Sequence, residues 1–176
     1  DAAFTETNYG GAGGSVWLVA SDVTGSGYAH ANGSEQTKEK CGTGGRVSLV
    51  TTDGSLLTWT GKLEAFGGLW RDPNKPNDPK ANSSAGTVYI KTAANPGKVI
   101  IANRSVTLRY DDMDMTDFPS TRLCDEDELG RVDVEVSNYG TLNLTRDVEV
   151  NTICVSGTMP RILLNGHTLK VRAPVS

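Results

Sequence analysis

Glycine pairs interrupt short β-rich runs near the start of this chain. The stretch from Gly10 to Leu49 reads GGAGGSVWLVASDVTGSGYAHANGS, then the charged segment EQTKEK, then CGTGGRVSL. It contains no helical period, and only glycine tolerates a positive φ or a very close approach of two backbone segments. The pattern therefore predicts a chain that winds through short strands and tight corners.

The composition points to one all-β domain spanning residues 1–176. Hydrophobic residues make up 37% of the chain and 20 residues are glycine, which suits a protein whose core is one layer of inward side chains. A chain of 176 residues is long enough for a single domain with its own core. Repeated Val, Ile and Leu runs argue against disorder over most of the length.

The charge pattern excludes two classes of partner. The net charge is −4, and Lys and Arg form no cluster, so we expect no nucleic-acid partner. No apolar run approaches the length that spans a bilayer, so we expect no membrane insertion. The start at Asp1 fits a mature terminus left by removal of a signal peptide, and equally fits a piece of a larger protein.

Short strands are predicted along the whole chain, and no helix longer than one turn. Single helical turns are expected at 63–69 and 125–130 at most. Alternation and β-branched residues predict strands at 15–20, 46–52, 56–60, 87–92, 99–102, 106–110, 132–136, 141–144, 148–155, 161–164 and 168–172.

The C-terminal half has the shortest connections, which favours a stacked architecture. VDVEV, GTLNLT, DVEVNTICVSG, RILLNG and HTLKVRA follow one another with few residues between them. Each run is too short to bury a face alone, whereas stacking such units in a β-solenoid buries a continuous core. A β-sandwich or jelly roll is the alternative, because Asp53-Gly54 and Asn165-Gly166 are dipeptides typical of hairpin tips.

Two stretches break this rhythm and are predicted to be loops inserted into the domain. The segment at about 70–86 holds Pro73, Pro76 and Pro79, each of which lacks a backbone donor. We therefore predict a long surface loop or a short linker there. The second stretch, at about 111–130, is acidic.

Several passages together resemble the glycine-rich repeats of large secreted surface proteins that are predicted to be right-handed parallel β-helices. YAH at 28–30 and the charged segment at 35–40 depart from the pattern of those repeats. The passages that match it are GGSVWLVA at 13–20, GSG at 25–27, ANG at 31–33, GTGGRVSL at 42–49, GTVYIKT at 86–92, KVIIAN at 98–103, LNLT at 142–145 and ILLNGHTLKV at 162–171.

This resemblance implies a secreted, extracellular or cell-surface β-solenoid and transfers no catalytic residue to the chain. Some proteins related by fold alone are polysaccharide lyases and hydrolases. We therefore predict a right-handed parallel β-helix that serves as a non-enzymatic structural, adhesive or filament-forming module. The alternative is a carbohydrate-binding module or a polysaccharide lyase-like protein with a calcium-binding acidic loop.

Acidic side chains cluster in the second inserted stretch. Ca²⁺ prefers several oxygen ligands from a flexible loop. The stretch that begins at Asp125 matches three early positions of an EF-hand loop, but Leu129 and Val136 stand where the fifth and twelfth ligands belong. A solvated acidic loop is the alternative, and no other cofactor is expected. The candidate Ca²⁺ ligands are Asp111, Asp112, Asp114, Asp117, Asp125 and Asp127.

Three further kinds of candidate site depend on an extracellular location. Trp70, beside the proline-rich segment, is a candidate for stacking on a sugar ring of a cell-surface glycan, with packing under the loop as the alternative. Cys124 and Cys154 are the candidate disulfide, because both lie beside strand-like runs in the same half of the chain. Asn-X-Ser/Thr sequons give candidate N-glycosylation sites at Asn32, Asn82, Asn103 and Asn143.

The two ends of the chain show no amphipathic capping helix. A β-solenoid with bare terminal coils exposes unpaired backbone groups and core side chains. We therefore expect flanking β-helix coils, or other copies of this chain, to cover the ends. End-to-end stacking that does not close into a ring would give a filament.

Overall fold

The protein is all-β, and every regular element in the described residues is a strand. The predicted fold class is confirmed at this level. No helix within the described ranges is long and apolar enough to cross a membrane. The computed structural model describes residues 10–35, 41–53, 58–72, 75–105, 120–122 and 132–172, with the backbone alone for 71–72 and 75–82.

Fifteen strands occur in these ranges, and those at 15–20 and 87–92 have the predicted bounds. Their bounds are β1 Ser15–Ala20, β2 Tyr28–His30, β3 Arg46–Thr51, β4 Lys62–Glu64, β5 Leu69–Asp72, β6 Lys75–Asn82, β7 Thr87–Thr92, β8 Asn95–Ala102, β9 Thr121–Arg122, β10 Asp133–Ser137, β11 Thr141–Asn143, β12 Val148–Val150, β13 Thr152–Ser156, β14 Arg161–Leu163 and β15 Leu169–Val171.

Two predictions of local structure are wrong. The expected helical turn at 63–69 is instead strand β4 followed by an extended glycine-rich segment. The expected single strand at 148–155 is two strands, β12 and β13, because the chain turns a corner at Asn151. The Asn151 side-chain amide donates to the Asp133 carboxylate at 2.7 Å and holds this corner. The strand predicted at 106–110 and the helical turn at 125–130 lie outside the described residues, as do residues 56–57 of the strand predicted at 56–60. The described part of that strand, 58–60, contains only an isolated bridge of Trp59 with Gly25.

The proline-rich segment is more regular than predicted. β5 and β6 pair antiparallel as a two-stranded ribbon, with register shifts on both sides of Arg71. Proline lacks a donor but is tolerated in such a ribbon, because each strand has an outer edge that pairs with no other strand. The segment is therefore an inserted hairpin rather than an open loop.

One six-stranded sheet organises the molecule, with the strand order β1-β3-β7-β8-β10-β13. β1, β3 and β7 run parallel to one another, as do β8, β10 and β13. β7 and β8 are antiparallel and are joined by a tight turn. The strand direction therefore reverses in the middle of the sheet.

This reversal places a hydrophobic core on each face of the sheet. Val88 opposes Ile100, and Tyr89 opposes Val99. Directly opposed residues share a face, while neighbours along a strand alternate, so Val88 and Val99 point to opposite sides. The N-terminal core comprises Ala31, Val47, Ala65 and Val88, and the C-terminal core comprises Ala85, Val99, Ile101, Val132, Val134, Val136, Leu142, Leu144, Val148, Val150 and Ile153.

Smaller parallel sheets cover the two cores. β2 pairs with β4 over the N-terminal core, while β9, β11 and β14 form one sheet over the C-terminal core and β12 pairs with β15. β10, β11 and β12 make one three-strand unit, and β13, β14 and β15 make the next. The units pair strand for strand in parallel register, with Asp133 beside Thr152, Thr141 beside Arg161 and Val148 beside Leu169.

Left-handed residues form the corners between these strands. Asn138 and Tyr139, between β10 and β11, have φ of 46° and 61°. Asn165 and Gly166, between β14 and β15, have φ of 50° and 82°. β14 and β15 pair with other strands and not with each other. The Asn165-Gly166 dipeptide is therefore a corner and not the hairpin tip that a sandwich would use.

Five extended segments pack side by side next to the N-terminal core. Segment 42–45 is central, because backbone hydrogen bonds join it to the other four. A strand in a flat sheet bonds only two neighbours, so these segments pack in three dimensions and do not form a sheet. We call this packing the glycine bundle, and its segments are 10–14, 31–34, 42–45, 65–68 and 83–86. The four bonds are Gly13 N to Thr43 O at 2.8 Å, Gly45 N to Ala31 O at 2.7 Å, Gly68 N to Gly42 O at 2.8 Å and Gly44 N to Ser84 O at 2.9 Å.

Close approach, and not a positive φ, explains the glycines of this bundle. A Cβ added to Gly42 would lie 1.8 Å from the Gly11 carbonyl oxygen, and one added to Gly45 would lie 1.9 Å from the Gly14 carbonyl oxygen. Neither glycine has a positive φ. Any larger residue would push the segments apart and break their hydrogen bonds.

Two alanine substitutions in this bundle distinguish the steric effect of close backbone approach from the change in backbone entropy that any glycine-to-alanine substitution causes. Gly45→Ala is expected to destabilise the fold by about 3 kcal/mol or more, because the new methyl group overlaps backbone that cannot move aside. Gly14→Ala has open space around its added Cβ and should change the free energy of unfolding by less than about 1 kcal/mol. Urea unfolding followed by circular dichroism measures both, and equal effects would contradict the bundle.

Candidate functional site

Because the core changes from one face of the six-stranded sheet to the other at β7 and β8, a groove remains on each face. On each face, the described residues place a core over one half of the sheet and none over the other half. The groove on each face lies at the edge of the core. The two grooves differ in size and in the charges that line them.

The larger groove, of about 810 Å³, crosses β1, β3 and β7. Ser15 and Arg46 lie in register across β1 and β3, and Ser48 and Tyr89 lie in register across β3 and β7. Arg122 joins them from β9 of the C-terminal half, and edges of the glycine bundle complete the lining. We call this the arginine groove.

The arginine groove combines positive charge with hydroxyl groups. Arg46 and Arg122 are both exposed, and the described residues that line the groove include no Asp or Glu. Burial raises the pKa of the Tyr89 phenol, so its hydroxyl remains protonated well above neutral pH and can donate a hydrogen bond. The groove is therefore suited to an anionic ligand that is rich in hydroxyl groups.

Trp17 stands on the same face beside this groove. It is in register with Ser48, which is in turn in register with Tyr89, and its side chain is 78% exposed. Alternation within 15–20 could not assign its face, because both faces of β1 carry apolar residues. The sequence does contain a signal for the exposure of Trp17. When GGSVWLV at 13–19 is aligned with GGRVSLV at 44–50, Trp17 lies opposite the polar Ser48.

The smaller groove, of about 460 Å³, lies on the opposite face and contains charges of both signs. Glu135 pairs with Lys98, with 2.6 Å between the carboxylate and the ammonium group. Arg104 pairs with Glu35, and its guanidinium lies 6.0 Å from the centre of the Phe66 ring. Because these charges are paired within the protein, this groove offers less to an ionic ligand.

A small aromatic cluster flanks the smaller groove. The Tyr28 and His30 rings stack with their centres 4.4 Å apart, and the Tyr28 hydroxyl donates to the Glu64 carboxylate. Burial, followed by the hydrogen bond and the charge of Glu64, raises the pKa of Tyr28. The phenol is therefore held in its protonated, donating form.

Two of the four predicted glycosylation sites are buried. Asn32 and Asn103 are 5% and 3% exposed. Their side-chain carbonyls accept hydrogen bonds from the backbone amides of Phe66, at 2.7 Å, and Gly67, at 2.8 Å. These two asparagines hold the glycine bundle in place. A glycan is attached to the side-chain nitrogen of asparagine, and at these buried positions it would have to displace the surrounding segments. Of the other two, Asn143 is half-buried, and the Asn82 side chain is outside the described part.

The remaining predicted site residues are not brought together in the described part of the chain. Trp70 is half-buried on β5, so its stacking on a glycan stays a prediction. Cys154 is half-buried on β13, and Cys124 lies outside the described residues, so their pairing stays a prediction.

The predicted calcium site also stays a prediction. No group of three or more metal-ligating side chains occurs within the described ranges. The candidate ligands Asp111, Asp112, Asp114, Asp117, Asp125 and Asp127 all lie outside those ranges.

Comparison of the chain with protein-family models, with curated proteins and with solved structures finds no match.

The Tyr28–Glu64 contact predicts a measurable titration. Glu64→Gln should lower the pKa of Tyr28 part of the way to its ordinary value, because burial, the larger cause, remains. Since the folded-state pKa is raised, the protonated phenol stabilises the fold. That contribution is complete below about pH 10 and is lost as the pH rises through the folded value. NMR titration of the Tyr28 ring carbon Cζ measures the shift. Glu149→Gln is the control, and an unchanged Tyr28 pKa in Glu64→Gln would contradict the contact.

Proposed function

We propose that this chain is a non-enzymatic structural and adhesive module with the architecture of a right-handed parallel β-helix, outside the cell or on its surface, and that copies join end to end. The extracellular location rests on the resemblance of its glycine-rich passages to the repeats of secreted surface proteins. The absence of a catalytic role rests on the lack of a catalytic motif in the sequence. The joining of copies rests on the exposed side chains of the two outer strands.

The parallel register of the three-strand units supports the β-helix. Asp133 pairs with Thr152, and Thr141 pairs with Arg161. Each strand of one unit therefore lies beside the corresponding strand of the next unit, which follows one coil later along the chain. This is how a β-helix stacks its coils. The inward residues Val134 and Ile153 are in register and share one core.

The change of direction at β7 and β8 is compatible with one hand of winding. Reversing the strand direction alone would invert the hand of the coils. Moving the core to the other face of the sheet also inverts it. Because Val88 and Val99 show that both changes occur together, the two halves wind with the same hand.

Exposed apolar side chains on both outer strands of the six-stranded sheet carry the assembly proposal. β1 is one outer strand, and its Trp17, Leu18 and Val19 are 78%, 44% and 56% exposed. β13 is the other outer strand, and its Val155 is 45% exposed. An apolar outer strand with unpaired backbone groups readily pairs with another strand.

The occupant that fits both outer strands is a second copy of this chain. β1 runs in the direction of β7, and β13 runs in the direction of β8. Placing β13 of one copy beside β1 of the next would therefore repeat the antiparallel pairing of β7 with β8, with its change of core face. Such a contact joins different surfaces and does not close on itself, so it continues into a filament.

Lysine substitutions at the two outer strands test this contact. Val19→Lys and Val155→Lys should each stop growth beyond a monomer, because a charge on an outer strand opposes pairing. An equimolar mixture of the two should form a dimer, since each variant keeps one intact end. Sedimentation velocity and negative-stain microscopy of the chain 1–176 measure the size. Ala94→Lys, in the exposed turn between β7 and β8, is the matched control and should assemble as the unmodified chain does.

Two outcomes would overturn the proposed assembly. An unmodified chain that stays monomeric at all concentrations would exclude it. If Val155→Lys alone formed dimers, the contact would join β1 to β1 of a second copy, and no filament could follow. Repeating the measurement with added Ca²⁺ would show whether the acidic stretch at 111–130 takes part.

A further inference from the structure

We propose that the arginine groove binds a carboxylated oligosaccharide, with the sugar chain lying across strands β1, β3 and β7. This inference goes beyond the assembly of copies and does not depend on it. It gives the adhesive role a ligand of defined chemistry.

The groove has the size and the form of a ligand site. Its volume of about 810 Å³ is in the usual range for such sites, about 300–1,000 Å³. It is lined by strands and by the glycine bundle, and its floor is a sheet whose strands are about 4.8 Å apart. An extended chain crossing three strands would therefore meet one row of side chains after another at regular spacing.

An aromatic ring lies at each end of this path across the strands. Trp17, Ser48 and Tyr89 form one row across the three strands, so the backbone positions that carry the two rings are about 9.6 Å apart, or two strand spacings. Trp17 is the most exposed of the large hydrophobic side chains in the described residues, at 78%. Aromatic faces pack against the C–H faces of sugar rings, and the spacing is near that of alternate rings in an extended glycan.

The polar groups of the groove select an acidic sugar. Arg46 and Arg122 present guanidinium groups, which bind carboxylates through two parallel hydrogen bonds. Ser15, Ser48 and Thr87 supply hydroxyl groups that match those of a sugar. A neutral glycan offers no carboxylate to Arg46 or Arg122, and so should bind more weakly.

Single-stranded nucleic acid also combines negative charge with stacking rings. The net charge of −4 opposes a polyanion with one charge on every residue. A sugar chain with a carboxylate on only some of its residues brings fewer negative charges for the two arginines to balance. The glycan is therefore the ligand that the observations favour.

Isothermal titration with a hexasaccharide of alternating glucuronate and N-acetylglucosamine, which carries a carboxylate on every second sugar, tests the proposal at a protein concentration where sedimentation shows monomers. The unmodified chain should bind, and Arg122→Gln, Arg46→Gln and Trp17→Ala should each weaken binding about tenfold or more, which is the loss of one charge-assisted contact or one stacking contact. Arg172→Gln removes an exposed arginine outside the groove, and Tyr28→Ala removes an exposed aromatic on the other face. Both controls should bind as the unmodified chain does.

Four results would overturn the proposal. The first is no heat of binding for the unmodified chain. The second is equal affinity for the fully methyl-esterified hexamer, which would show that the carboxylates are not recognised. The third is an equal loss of affinity in the groove variants and the controls. The fourth is tighter binding of oligouridylate that the groove variants abolish, which would assign the groove to nucleic acid. Monomers that bind the acidic hexasaccharide would support the groove even if the assembly proposal failed.

Discussion

The antiparallel pairing of β7 with β8 determines how the rest of the molecule is arranged. Val88 opposite Ile100 and Tyr89 opposite Val99 place successive residues on successive faces, and each face then carries its own hydrophobic core. A chain that kept one strand direction would build one core and leave the other face of its sheet to solvent. Here both faces are half covered, and a groove follows on each. The exposed Trp17, the two arginines of the larger groove and the paired charges of the smaller one all depend on this single reversal.

Close packing of backbone supports the N-terminal half in place of side-chain burial. That core is small, with four buried members in its main cluster among the described residues, and the glycine bundle next to it adds hydrogen bonds between five extended segments. Asn32 and Asn103 complete the bundle by accepting bonds from amides that face no carbonyl. Since Asn103 lies just after β8 and also donates to the Ser83 carbonyl at 3.2 Å, it ties the bundle to the C-terminal half. The low hydrophobic content of the chain is consistent with this substitution of backbone contacts for apolar ones.

The sequence predicts the strands better than it predicts which of their faces is covered. Runs of β-branched and aromatic residues gave the bounds of β1 and β7, because Val, Ile, Trp and Tyr favour strands. These residue patterns did not predict the reversal, since the turn at 93–94 carries none of the usual hairpin dipeptides. The local sequence pattern does not distinguish the exposed Trp17 from the half-buried Trp70, because the side of the sheet that each core covers depends on the reversal. The sequons at Asn32 and Asn103 have the sequence of glycan acceptors, but long-range contacts bury them.

The central claim is that one sheet carries a core on each face, and nuclear Overhauser contacts between side chains test it most directly. Selectively labelled protein should show contacts of the Val88 methyl groups with Ile100, and of the Tyr89 ring with Val99. It should show none between Val88 and Val99. Contacts between Val88 and Val99 would place them in one core, and would contradict the reversal at β7 and β8 together with both grooves that follow from it.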